Sequence, residues 1–181
     1  MNILSFKDHL QVFQSMDSLQ IEGMKNLLVS LNTFLDNTFL TSINNESLYK
    51  SATLQSTDII HADSSYNNDS WFSNVAIVMD TNKSTYYNTD QRTCFGKVLL
   101  LDEFYVNNSL KTAIFAFTMV KWYDYCEQNE ADPEPTEIYG CPRLMMLQDY
   151  SIVPLNSISH AVHIIPRFHK KNQFLMNRYL F

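Results

Sequence analysis

Apolar residues recur first at helical steps. Phe6, Leu10 and Phe13 fall four and three apart, and Ile21, Met24, Leu28, Leu31 and Leu35 hold one face through about four turns. Asp17, three residues before Gln20, has the spacing of a capping box with Asp in place of Ser. The pattern predicts an N-terminal helical hairpin over residues 1–46. From about residue 47 the texture changes to short β-rich runs between clusters of Asn, Asp, Ser and Thr, the pattern of an all-β barrel or sandwich. Strands are expected near Tyr49 to Leu54, Asp58 to Ala62, Val75 to Met79, Gly96 to Tyr105, Thr112 to Tyr125, Leu144 to Leu147 and Ala161 to Ile165. The longest breaker, EQNEADPEPTE, is acidic and contains Pro, which predicts a solvent-exposed excursion.

The stretch FAFTMVKWYDYC, Phe115 to Cys126, is the densest in aromatic residues. At period two, one face carries Phe115, Phe117, Met119, Lys121, Tyr123 and Tyr125; the other carries Ala116, Thr118, Val120, Trp122, Asp124 and Cys126. Neither face is polar, as expected of a barrel wall covered on both sides. The first half, Phe115 to Val120, reads as wall. The second half, Trp122 to Tyr125, reads as a rim where aromatic faces could hold a cation or a peptide. Gly96, one of three glycines, opens an apolar strand and predicts a bulge or a close backbone approach. Trp71-Phe72 reads as an anchor closing the barrel end.

Composition narrows the function classes. With 181 residues, 45% of them hydrophobic, the chain can bury one substantial core, so one domain with an appendage is expected. A net charge of −6 disfavours nonspecific nucleic-acid binding, which needs cations against phosphates. The basic candidates lie near the C-terminus, Arg167, His169, Lys170, Lys171 and Arg178, as a solvated tail or a nucleic-acid contact. Cys94, Cys126 and Cys141 are three, without paired spacing, and no signal peptide is recognised, which points to an intracellular location. The cysteines and His160, His163 and His169 lack the ligand spacing of a structural zinc site. No metal or cofactor is expected, and no apolar run has the roughly 18 residues a membrane span needs.

The order of the β segments carries a resemblance. Thr57-Asp58-Ile59-Ile60, Gly96-Lys97-Val98, Val120-Lys121-Trp122-Tyr123 and Val153-Pro154-Leu155-Asn156-Ser157-Ile158 follow one another as the sequence words of the bromo-adjacent homology (BAH) domain do. The segment from residue 48 onward is also similar to uncharacterised fungal proteins derived from transposable elements, and to a barrel at the C-terminal end of CACTA-type transposases. The resemblance implies a small distorted BAH-like β-barrel over residues 47–181, a chromatin- or transposon-associated role and a nuclear location. Where BAH domains that read methylated lysine carry a second Tyr after the Trp, this strand has Asp124.

The expected fold is therefore mainly β, a small BAH-like barrel preceded by a helical hairpin. The expected function is a non-enzymatic interaction module that binds a protein segment, a histone tail for example, at Trp122, Tyr123, Asp124 and Tyr125. An alternative is nucleic-acid binding through Arg167, Lys170, Lys171 and Arg178. A weaker alternative is an enzyme using Cys141 as nucleophile with His160 or His163 as base.

Overall fold

The structure, a computed structural model, describes residues 18–35, 49–66, 69–79, 93–107, 112–129 and 132–179. Among them is one helix, α1 (Ser18–Leu35). The first helix of the expected hairpin, with Phe6, Leu10 and Phe13, and the Asp17 cap lie outside the described residues. Ten strands follow: β1 (Ser51–Thr53), β2 (Ile59–Tyr66), β3 (Asp69–Phe72), β4 (Asn74–Val78), β5 (Thr93–Asn107), β6 (Thr112–Tyr125), β7 (Glu137–Ile138), β8 (Cys141–Pro154), β9 (Ile158–Pro166) and β10 (Gln173–Asn177).

Strands β1, β2 and β3 form a small sheet, and the others a larger one in the order β10-β9-β4-β5-β6-β8-β7. Because β10 pairs with β8 as well as with β9, six strands close on themselves, and the fold is mainly β with a closed barrel. Closure removes the exposed edges that an open sheet would present. The closing strand, Gln173-Phe174-Leu175-Met176-Asn177, falls where the basic residues suggested a solvated tail. Its three apolar side chains take it into the wall, against Met145, Leu144 and Arg143 on one side and Pro166 to His163 on the other.

Three apolar clusters show which face of each strand does what. One takes Ala76 from β4, Phe95 from β5, Tyr123 from β6, Leu144 from β8, Val162 and Ile164 from β9 and Met176 from β10. A cluster with a member from every wall strand is the filled barrel interior. A second puts Val75, Ile77, Cys94, Val98, Val120 and Trp122 beneath Leu54, Ile60, Ala62 and Phe72, so the small sheet covers the outside of β4, β5 and β6. The third joins Leu27 and Met24 of α1 to Leu99, Leu100, Phe117, Met119, Ile152 and Tyr150. Phe117, Met119, Lys121 and Tyr123 alternate onto one face of β6. Helix α1 therefore covers the continuation of the interior surface where β5, β6 and β8 run on past the barrel.

Two irregularities bend these long strands. The β5–β6 register shifts between Val98 and Leu100, and the β6–β8 register between Lys121 and Tyr123, where the residues between Met146 and Tyr150 on β8 exceed those opposite. Extra residues on one strand increase twist and coiling, which lets a wall strand change its covering layer along its length. Gly96 serves as a close approach, and the bulge falls three residues later: a Cβ on Gly96 would meet Val120 Cβ at 3.1 Å and Ile77 Cδ1 at 3.3 Å. On α1, a Cβ at Gly23 would meet Leu99 Cβ at 3.2 Å, so glycine lets the helix backbone sit close on β5.

A polar layer separates the interior from the helix. Asn74, Lys97, Lys121 and Tyr150 stand side by side in the ladders of β4, β5, β6 and β8. Glu22 of α1 reaches into this layer. Its Oε1 lies 2.7 Å from Lys121 Nζ and accepts a hydrogen bond from the Tyr150 hydroxyl. The Lys121 ammonium also sits 5.1 Å from the centre of the Tyr150 ring. With Lys121 buried, this charged contact fixes where along the barrel the helix docks.

Candidate functional site

Two of the four expected rim residues, Trp122 and Tyr123, are buried. Trp122 is 1% exposed, lies on the outer face of the barrel beneath the small sheet, and its indole N–H donates to Ser151 Oγ at 2.9 Å. Tyr123 is 3% exposed in the barrel interior, edge-on to Phe174 with ring centres 5.2 Å apart, and its hydroxyl donates to Asn74 Oδ1 at 2.9 Å. Burial pushes the Tyr123 phenol well above its ordinary pKa, so it stays protonated. Asp124 and Tyr125 are half-buried; the Asp124 carboxylate accepts from the Tyr125 N–H at 2.8 Å, and Tyr125 meets Phe95 edge-on. The four residues point to alternating sides of one wall strand, and so cannot form one concave cage. The physical reason is the small sheet, whose Phe72 and Ile60 cover the side on which Trp122 projects.

The opposite end of the same strand is the exposed one. Pairing of β6 with β8 reaches Phe117 opposite Pro154, after which β8 turns away through a single 3-10 turn, Leu155–Ser157. Proline has no N–H to continue a ladder. Strands β5 and β6 run on as a ribbon in which Ile114 is 58% and Phe115 43% exposed, beside Tyr49, itself 42% exposed and bridged to Leu101. The acidic pair Asp102-Glu103 lies within β5, opposite Phe117 and Ala116.

At the foot of this ribbon is a cavity of about 180 Å³, lined by Tyr49, Ala52, Leu101, Ala116, Phe117 and Leu155, with Ser51, Asp102 and Glu103 supplying polar atoms. A cavity of roughly 150 Å³ accommodates a benzene ring, so this one has room for a branched aliphatic or aromatic side chain. β-Strand periodicity places Leu101 on the side of β5 that meets the small sheet, and β1 brings Ala52 to the same place. The sequence signal was present in Ala116, a small residue in an otherwise bulky aromatic run.

The C-terminal basic residues are engaged by the acidic loop. Arg143, fully buried on β8, donates to Asp132 Oδ2 at 3.0 and 3.1 Å and to Glu134 Oε2 at 3.1 Å. Arg167, 9% exposed, donates to Glu134 Oε2 at 2.7 Å, and Lys170 Nζ lies 3.0 Å from Glu134 Oε1. Arg178 reaches Glu137 at 3.4 Å, and Lys171 is exposed. Within the expected excursion EQNEADPEPTE most described residues are exposed, while Asp132, Glu134 and Glu137 tie it to the barrel because their carboxylates meet Arg143, Arg167, Lys170 and Arg178. These ion pairs draw Arg167, Lys170 and Arg178 away from the basic surface that nucleic-acid contact would need.

Cys141 pairs with Ile138 at the β7–β8 hairpin and is half-buried, whereas His163 stands opposite Asn177 and His160 opposite Ala76 on β9. Cys126 is buried, and burial pushes its thiol up, opposed in part by Arg143. Among the described residues, no group of three His, Cys, Asp or Glu side chains is placed to hold a metal ion, and no helix is long and apolar enough to cross a membrane. Comparison of the chain with protein-family models, with curated proteins and with solved structures found no match.

Proposed function

We propose that this barrel is a non-enzymatic interaction module that takes a protein segment at the foot of the β5–β6 ribbon. The segment places one apolar side chain in the cavity beside Ala116 and carries basic residues on either side. The observation that carries this reading is the apolar cavity of about 180 Å³ with two carboxylate residues in its lining and exposed Tyr49, Ile114 and Phe115 beside it. Binding modules commonly combine a pocket for one side chain with an apolar surface around it. The net charge of −6 favours a cationic segment through electrostatic steering.

The order of the β words supports a BAH-like relationship, and one geometric detail agrees with it. Thr57, at the position of the glycine in the first word, has φ of 74°, a conformation glycine adopts without cost. Asp58, next in that word, accepts from the Ala161 N–H at 2.9 Å and ties the β1–β2 turn to β9. A chromatin- or transposon-associated role and a nuclear location belong to the same proposal, with a histone tail as a partner of suitable charge.

The test is a fluorescence-anisotropy titration of labelled histone-tail peptides and other lysine-rich peptides carrying one Leu or Phe, against the wild type and Ala116→Phe. The larger side chain should fill the cavity and weaken binding by about tenfold or more, with the fold retained. Equal binding by both proteins, or none by the wild type, would reject the reading. The alternative, nucleic-acid contact through Arg167, Lys170, Lys171 and Arg178, has less support because three of these four already face carboxylates.

A further inference from the structure

We infer that Arg143, Arg167 and Lys170 form a binding site for a phosphate-class oxyanion, and that the Glu134 carboxylate is its tethered resident. Three cations from two separate parts of the wall converge on this one carboxylate. Arg143 comes from β8, while Arg167 and Lys170 come from the β9–β10 turn. Within that turn Lys170 N–H donates to Arg167 C=O at 2.9 Å, which keeps the two side chains on one side. Glu134 Oε2 accepts from Arg143 at 3.1 Å and from Arg167 at 2.7 Å, and Oε1 lies 3.0 Å from Lys170 Nζ.

The donors outnumber what a carboxylate can take. Arg143 is fully buried, and its Nε–H has no acceptor. Asp132 takes two bonds from the Arg143 terminal nitrogens, and Gln173 supports both sides by accepting from Arg167 at 2.6 Å and donating to Asp132 at 3.3 Å. Three cations face two carboxylates here, with Arg143 fully buried and the Lys170, Glu134 and Asp132 side chains 42%, 30% and 28% exposed. A buried donor left unmet is costly, and native structures rarely keep one. A tetrahedral oxyanion brings more acceptor oxygens than a carboxylate and matches the guanidinium fork in the same way.

The carboxylate arrives on a loop and not on a wall strand. The described residues around Glu134, 132–136, include two prolines and no strand, and Asn129 exchanges bonds with Asp132. A ligand on a short tether has a high effective concentration, so Glu134 outcompetes a dilute anion. Removing its charge should open the site to phosphate.

The experiment compares thermal midpoints in sodium phosphate and in sodium chloride at equal ionic strength, for the wild type, Glu134→Ala and Glu134→Ala combined with Arg167→Ala. Phosphate stabilises most proteins slightly by exclusion from their surface, and the double variant measures that background. At a phosphate concentration ten times its Kd, Glu134→Ala should gain about 3 to 5 °C over the double variant. The wild type should gain no more than the background. A second arm with O-phosphoserine separates free from esterified phosphate: a gain with either supports the site, and a gain with neither overturns it. Should Glu134→Ala not fold, calorimetric titration of Glu134→Gln with inorganic phosphate decides the matter, since absence of binding there also overturns the proposal.

Discussion

Trp122 illustrates how a single side chain separates a structural role from a binding one. At 1% exposure and with its N–H on Ser151, it is a packing residue. Trp122→Ala should lower unfolding stability by about 3 to 5 kcal/mol in urea denaturation, and Ser151→Ala by about 1 kcal/mol. Unchanged stability in Trp122→Ala would contradict the buried placement. Glu134 gives a second test at this scale. Hydrogen bonds from Arg167 and Lys170 hold its carboxyl down at about 2, against an ordinary value of 4.5. A folded-state value below the unfolded one stabilises the fold fully above the ordinary carboxylate range, and that contribution is lost as pH falls through it toward 2. Glu134→Gln should therefore flatten the dependence of the urea midpoint on pH between about 2 and 4.5; an unaltered slope would count against the ion pairs.

Helix α1 is joined to the barrel by an apolar face and one charged pin. The two partners of that pin should respond unequally. Removing Glu22 leaves the Lys121 ammonium, 7% exposed, beside the Tyr150 ring without a carboxylate among the described residues, and Glu22→Ala is expected to cost about 2 to 4 kcal/mol. Lys121→Met replaces the buried charge by an apolar chain of similar length and leaves a carboxylate that is 33% exposed to water, so it should cost less. Chemical denaturation followed by circular dichroism ranks the two, and the reverse order would show that the contact is not the anchor.

Element positions were legible in the sequence where local patterning governs them. The helix from Ser18 and the strand from Thr112 to Tyr125 follow from periodicity. Among the described side chains of α1, Gly23 and Leu27 are buried and Met24 packs beside Leu27; the apolar periodicity picks out Met24 and places the face one position away from Gly23 and Leu27. Strand β10 was hidden because five basic residues surround its three apolar ones, and its role comes from pairing with β8 far away in the chain. The exposed end of β6 was inverted for a similar reason. The sheet that covers Trp122 includes β3, where Trp71-Phe72 signals an anchor but nothing local says that Phe72 packs over the side of the wall carrying Trp122.

At the scale of the whole molecule, the barrel has its interior filled, one outer side under the small sheet, one end under α1, and the charged loop across the closing strand. Among the described residues, the foot of the β5–β6 ribbon combines a cavity beside Ala116 with the exposed Ile114 and Phe115. The closing-strand cations face the loop carboxylates, and the net charge of −6 favours a basic partner. The measurement that bears most directly on this is a two-dimensional amide NMR titration of the wild type with a lysine-rich peptide containing one Leu. The largest shifts should fall on Ala52, Leu101, Ala116 and Leu155; shifts centred on Trp122 to Tyr125, or no shifts at all, would contradict the assignment of the binding surface.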